Sequence, residues 1–335
     1  MASKKALEKH AQAGELYHSA EDIRWATPEI VAAYRAKRLQ CKTIVDVGCG
    51  IGFQTFAFAK QCSHVFAIEI DIEKIEKARK NAAVLGLKNI TFIAGDALSP
   101  QVIRQLKDVD IVFCDPARLP QETERTTATI QPDISELLRL YRKLTDKIAI
   151  EFPPQIKEIP FDCEREYLSW QGKLNRLTLY FGKLKKVERS ALTLPAEEKI
   201  VPQMGAVLRE ASAPQQYLFD VDPAVVKAEL LAELSAKTGA ALLQRGKNIV
   251  FTASALVNDA FFVHAYKVLE TVSFEQKLLL RALRRKGAGT IILRYSIDPK
   301  EYAAVRRSLE KELKGQKVIC LFRLDDKAVI TEEVR

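Results

Sequence analysis

Lys42-Thr43-Ile44-Val45-Asp46-Val47-Gly48-Cys49-Gly50-Ile51-Gly52 is the stretch on which the reading of this chain turns. A β-branched apolar run passes directly into three alternate glycines, and a helical pattern follows. Glycine lets the chain turn sharply and brings its backbone within contact distance of a ligand, while the helix opening there presents unpaired N–H groups. Alone, GxGxG is weak evidence, because any tight strand–helix turn can use glycine. The surroundings add weight. Beyond the first run at 43–48, short apolar runs recur at 64–70, 90–96, 110–116 and 147–152, separated by helical patterns that include 72–85 and 132–145. Strands apolar throughout are buried on both faces, and the alternation predicts an open α/β domain around a parallel sheet with right-handed crossovers.

After the fifth run the rhythm changes. Segments 165–170 and 174–182 flank Gln171-Gly172-Lys173, so short a glycine-containing link that a hairpin is expected and the sheet should finish with an antiparallel pair. Residues 183–215, with Pro195, Pro202 and Pro214, read as a polar connector. A helical stretch at 223–237 and a strand near 249–252 follow. The tail reads as strand, helix (274–286), strand (290–295), helix (299–313) and two strands (317–323, 328–334). The expected organisation is a helical segment over 1–40, an α/β domain over 41–190, a connecting region over 191–264 and a small α+β domain over 265–335.

Acidic residues decide what the glycine turn binds. Glu69 ends the second strand, 19 residues after Gly50, where a carboxylate accepts both hydroxyls of a ribose. That placement fits NAD and S-adenosylmethionine equally. Asp46, directly before the glycines, and Asp96, in Ala94-Gly95-Asp96-Ala97, separate them. An acid in the turn repels a pyrophosphate but suits a sulfonium amino acid with a free ammonium, and Asp96 can accept the adenine amino group. The spacing Gly48, Gly50, Gly52 also differs from the GxGxxG of NAD sites.

With VDVGCGIG, AIEID, AGDA and CDPA in order at the ends of successive strands, the chain resembles class I S-adenosylmethionine-dependent methyltransferases. The resemblance implies a Rossmann-like sheet of seven strands with the last antiparallel. It implies that Asp46, Gly48 and Gly50 line the methionine moiety, that Glu69 holds the ribose, and that Asp96 with Ala97 holds the adenine. Methyl transfer from a sulfonium asks the protein to hold the acceptor in line and to orient or remove its proton. Asp115-Pro116-Ala117-Arg118, at the end of the fourth strand, lies where the methyl should be. Asp115 is the expected acceptor-orienting group, with the backbone at Pro116 assisting; Arg118 suits stacking on a base or binding a phosphate. A DPxR sequence also resembles the pyrimidine C5 methyltransferases, which use a cysteine nucleophile, but Cys114 should point away from Asp115 on its strand and Cys163 has no flanking motif. Pro153-Pro154 are expected to help shape the pocket.

Lys and Arg number 52 against 43 Asp and Glu, a formal charge of +9, and residues 265–335 hold 16 of the bases but only 10 of the acids. Leu280-Arg281-Ala282-Leu283-Arg284-Arg285-Lys286-Gly287 concentrates this charge; part of it serves the helix dipole, and the accumulation suits a phosphate backbone, with Arg284, Arg285 and Lys286 the expected contacts. Ser169-Trp170-Gln171-Gly172-Lys173, Tyr217-Leu218-Phe219-Asp220-Val221-Asp222-Pro223 and the DPAR segment together resemble methyltransferases that carry a THUMP-like C-terminal domain. That resemblance implies an RNA substrate, tRNA or rRNA. The rival readings are a small-molecule or protein methyltransferase, and an RNA-binding protein that retains the fold without turnover. The first 30 residues lack the apolar run of a secretory signal, no apolar stretch is long enough to span a membrane, and the six cysteines stand singly without ligand spacing. A soluble cytoplasmic protein, without a metal and without a membrane partner, is expected; the oligomeric state is not legible.

Overall fold

The computed structural model describes residues 3–118, 130–156, 158–246 and 249–334. The chain divides into two compact units, one formed by residues 1–170 with 174–197 and the other by 171–173 with 198–335.

The first unit is built on strands β1 (Thr43–Val47), β2 (His64–Glu69), β3 (Ile90–Ala94) and β4 (Ile111–Cys114). A two-stranded ribbon of β5 (Ala117–Arg118) and β6 (Ile130–Gln131) follows, then β7 (Ile148–Phe152), β8 (Glu164–Trp170), β9 (Lys173–Tyr180) and β10 (Arg189–Leu194), after which the chain enters the second unit with β11 (Glu198–Ile200). Nine of these form one sheet in the order β11-β10-β8-β9-β7-β4-β1-β2-β3. Strands β1 to β4 and β7 run parallel, while β9 is antiparallel to β7, as the hairpin reading expects. Gln171 and Gly172, both at positive φ (52° and 68°), make the tight turn between β8 and β9.

The expected count of seven strands is therefore corrected to nine. The additions come from the segment expected to be a polar connector: Arg189–Leu194 pairs parallel to β8 and buries Ala191, Leu192 and Leu194, together with Ser190 and Thr193. Ser190 Oγ donates to the buried Glu164 at 3.0 Å, which satisfies a polar side chain that made this run read as a linker.

Helices α1 (Lys4–Lys9), α2 (Ala20–Trp25) and α3 (Glu29–Arg38) precede the sheet; α4 (Phe53–Gln61), α5 (Ile72–Val84), α6 (Pro100–Ile103) and α7 (Ile134–Tyr141) connect its strands. The apolar side of the N-terminal segment, Ala6, Ala13, Leu16 and Ile23, packs with Ile51, Phe53 and Phe56 at the glycine turn and with Ala82 of α5. Asn81, fully buried, fastens this cover: its Nδ2 donates to the carbonyls of Tyr17 and Ile51 at 3.2 Å each, and its Oδ1 accepts from Tyr17 N–H at 2.6 Å. Helix α3 lies on the sheet through Val31 against Leu168, Leu192 and Leu194, and through Ala36 and Leu39 against Ile44, Phe58 and Phe113.

The second unit is a seven-stranded sheet, order β13-β14-β12-β15-β18-β17-β16, from β12 (Tyr217–Val221), β13 (Ala241–Gln244), β14 (Val250–Ala253), β15 (Phe262–Ser273), β16 (Ala288–Leu293), β17 (Lys317–Leu324) and β18 (Lys327–Glu333). It carries α8 (Pro223–Lys227), α9 (Leu231–Thr238), α10 (Gln276–Arg285) and α11 (Pro299–Glu310). Three of its strands belong to the stretch expected only to connect two domains, and the expected boundary at 265 falls inside β15. These short strands pair antiparallel with one another and with β15, so their apolar residues Leu218, Phe219, Val250 and Phe251 join a core formed only when the whole sheet assembles. Helix α10 places Leu279, Leu280 and Leu283 on Ile291, Ile319 and Leu321, leaving Lys277, Arg281, Arg284 and Arg285 exposed.

Candidate active site

The glycine turn is shaped by backbone contacts that exclude other residues. Gly48 has φ +77°, and a Cβ there would stand 2.8 Å from the carbonyl oxygen of Asp115; its N–H donates to the Ile68 carbonyl at 2.9 Å. The ends of β1 and β4 are thus pressed together, and Asp115 N–H donates to Val47 O at 3.1 Å. Gly50, at φ +56°, has open space where a Cβ would be. Its N–H donates to Glu69 Oε2 at 2.8 Å, while Glu69 Oε1 accepts from Asp71 N–H at 3.0 Å. The carboxylate is held in the turn with lone pairs remaining on each oxygen.

Asp46 is buried. Thr55 Oγ1 donates to its Oδ2 at 2.5 Å, and its Oδ1 has no partner among the described residues. Burial, with Glu69 adding to it against the opposing pull of Thr55 and Arg35, pushes its carboxyl up to about 7. Asp96 is exposed and folds an Asx turn in which Oδ1 accepts from Leu98 N–H at 2.9 Å; Ala97 is buried and its carbonyl accepts from Tyr141 Oη at 2.9 Å. The sequence-predicted residues Asp46, Gly48, Gly50, Glu69, Asp96 and Ala97 therefore lie at the C-terminal ends of β1, β2 and β3.

Asp115 and Pro116, both partly buried, follow β4, and Ala117 and Arg118 enter the β5–β6 ribbon. The Arg118 side chain lies outside the description. Desolvation, then the nearby Glu151 and Asp46 charges, raise Asp115 to about 7 against the attraction of Arg176 and Arg35. Cys114 and Cys163 are buried, and burial raises both thiols, Cys163 to about 11, so neither is poised as a thiolate. Pro153 and Pro154, at the end of β7, are buried.

The methyltransferase-domain family matches residues 40–152. The chain is a methyltransferase. An uncharacterised S-adenosylmethionine-dependent methyltransferase of Mycobacterium tuberculosis is 28% identical over 313 residues, covering 90% of this chain and 82% of the relative. An uncharacterised RNA methyltransferase of Halalkalibacterium halodurans is 33% identical over 96 residues, covering 28% of this chain and 21% of the relative. The fold of a crystallised Porphyromonas gingivalis protein superposes over 99% of this chain and 88% of that one with a TM-score of 0.82, at 18% identity. The methyltransferase uses S-adenosylmethionine as its cofactor, and its residues fit that molecule: the orphaned Asp46 Oδ1 is an acceptor awaiting a cation, and the open side of Gly50 admits a ligand against the backbone.

Sequence reading missed the groups that hold the acids. Arg35 of α3 is only 2% exposed; it forms an ion pair with Glu151 of β7, donates to Gln54 Oε1 at 2.7 Å, and stacks over Phe113 with its guanidinium 4.7 Å from the ring centre. Arg176 of β9 pairs with the other oxygen of Glu151. One turn after Arg35, Arg38 bridges Glu164, at 2.9 Å, and Glu166 of β8, and Tyr34 and Tyr180 also donate to Glu166 at 2.9 and 3.0 Å. The 1–40 segment reads only as helical, with no signal in its own residues for which distant acids its arginines meet. The available signal was Glu151 within Ile148-Ala149-Ile150-Glu151-Phe152, since a charge inside a buried strand requires a partner.

In the second unit, Arg284 pairs with Glu312, and Arg285 and Lys286 both pair with Glu270. The expected contacts are thus engaged within the unit, whereas Lys277 and Arg281 on the same helix form no ion pair among the described residues. No helix among the described residues is long and apolar enough to cross a membrane.

Proposed function

We propose that this methyltransferase methylates a base in structured RNA, tRNA or rRNA. The observation that carries the reading is the packing of Asp115 against the glycine turn. The acid that can accept an acceptor's proton is fixed, through its backbone, 2.8 Å from where a Gly48 Cβ would be, beside the cradle that suits the methyl donor. When bound, S-adenosylmethionine supplies a methyl group on a sulfonium. Asp46 Oδ1 and the Gly48 and Gly50 backbone receive its methionine end, Glu69 its ribose, and Asp96 with Ala97 its adenine. Asp115 would accept a hydrogen bond from an exocyclic amine and, in its ionised form, would take the amine proton as the nitrogen–carbon bond forms and the sulfur–carbon bond of the sulfonium breaks to leave a neutral thioether. Pro116 stiffens the turn, and Arg118 is the proposed contact for the base or its phosphate.

The RNA substrate is supported by the relatives named RNA methyltransferases over part of this chain and by the cationic α10 face. The second unit then plays the part implied by the THUMP-like resemblance. Arg284, Arg285 and Lys286, held by Glu312 and Glu270, frame the face, and Lys277 and Arg281 make the phosphate contacts. Mass spectrometry of nucleosides from a deletion strain and its parent tests the reading: a methylated nucleoside that vanishes names the base and atom. An unchanged nucleoside profile, together with salt-insensitive or absent tRNA binding by the purified protein, would overturn it in favour of a small-molecule or protein acceptor.

A further inference from the structure

Cys41 precedes β1 by two residues and Cys62 caps the end of α4, so the two thiols stand at the ends of the strand–turn–helix unit that contains the glycine turn. Their Sγ atoms are 3.9 Å apart. Among the described residues no other two of the six cysteines reach hydrogen-bonding distance of one another. Cys41 is partly exposed at this end, while Cys62 is buried, and its backbone is fixed by Phe58 O, which accepts from its N–H at 2.8 Å, and by Asn89 Nδ2, which donates to its carbonyl at 3.0 Å. The contact between the two thiols draws the Cys62 thiol down to about 7 and, with desolvation, raises Cys41 well above its ordinary value, so near neutrality Cys62 is the readily ionised sulfur and can take the Cys41 proton.

We propose that Cys41 and Cys62 form a reversible disulfide when the protein meets a low-molecular-weight disulfide such as glutathione disulfide. The accessible Cys41, its proton passing to Cys62, attacks one sulfur of the small disulfide, breaks its S–S bond and releases one thiolate. Cys62 then loses its proton to that thiolate, attacks the Cys41 sulfur of the mixed disulfide and expels the second small thiolate, which solvent protonates. Two protein thiols are oxidised and one small disulfide is reduced to two thiols. The bridge closes residues 41–62 into a ring around the glycine turn, and a cross-link of that kind restrains the unfolded chain. This is a modification site separate from methyl transfer and does not depend on the RNA reading.

The test incubates the reduced, folded protein with glutathione disulfide, quenches in acid, then unfolds and alkylates. Expected are the loss of two of the six alkylatable thiols, a mass lower by two hydrogens, a Cys41–Cys62 cross-linked peptide that reductant abolishes, and a higher unfolding midpoint. Cys62→Ser should instead retain glutathione on Cys41. Six thiols persisting, a stable glutathione adduct on the wild-type protein, or a bridge involving any other cysteine would each overturn the proposal.

Discussion

Replacing Arg35 by Met tests whether the N-terminal helix is fastened to the catalytic sheet by buried charge. The substitution keeps most of the aliphatic volume beside Phe113 and removes the guanidinium from Glu151 and Gln54. Breaking a buried ion pair by removing one partner costs about 3–5 kcal/mol, because the remaining charge stays in low-dielectric surroundings. Glu151 retains Arg176, which is 18% exposed, so the lower end, about 3 kcal/mol, is expected here. For a unit of roughly 150–250 residues that corresponds to a melting temperature lowered by about 6–12 °C. Thermal unfolding of the purified variant measures it. Adding Glu151→Gln to Arg35→Met should recover part of the loss, since the buried carboxylate is then neutral and the Arg176 left without it is partly exposed to solvent. Arg35 also pulls the Asp115 carboxyl downward, so the single variant should move the acidic limb of the pH–rate profile to higher pH. A loss below about 1 kcal/mol, or a double variant no more stable than the single one, would refute the fastening argument.

Three further outcomes follow from the same geometry. Asp46 and Asp115, raised to about 7 in the folded protein, favour the folded state fully below the unfolded carboxyl value near 4, and that stability is lost as pH rises through about 7. Without cofactor, the melting temperature of wild type should therefore fall relative to that of Asp46→Asn from pH 4 to 8, while cofactor affinity measured by calorimetry should rise with pH as Asp46 ionises. Gly48→Ala, at positive φ and against the Asp115 carbonyl, should be at least ~1 kcal/mol more destabilising than Gly50→Ala, which meets no atom; chemical denaturation of the two variants compares them directly, and equal losses would contradict the close approach of β1 and β4. Under the RNA reading, Lys277→Glu with Arg281→Glu should reduce the salt slope of tRNA binding by about two, whereas Arg284→Ala, whose side chain is already paired with Glu312, should change it less.

Much of the first unit could be read from the amino acids because its signals are local. The apolar runs at 43–48, 64–70, 90–96 and 147–152 become β1, β2, β3 and β7 within one or two residues, and the hairpin at Gln171-Gly172 needs only two residues of positive φ. The strands β10 and β11 were illegible, since Ser190 and Thr193 look like linker residues until the fold buries them, Ser190 against Glu164. The second unit hid its extent for a related reason: β12, β13 and β14 have partners far along the chain, and register across such distances has no local signature.

The same division runs through the candidate site. Sequence alone determined the glycine turn, the acids at the strand ends and hence the cofactor chemistry, because those depend on residue type and spacing along one strand–turn–helix unit. Tertiary structure decided what those acids feel. Only folding brings Arg35 from before the sheet and Arg176 from its far hairpin onto Glu151, and leaves Asp46 with an oxygen unpaired among the described residues. It also commits Arg284, Arg285 and Lys286 to Glu312 and Glu270 while leaving Lys277 and Arg281 unpaired among the described residues. Spacing fixes which groups are available; burial and the charges brought near through space fix their protonation and their partners.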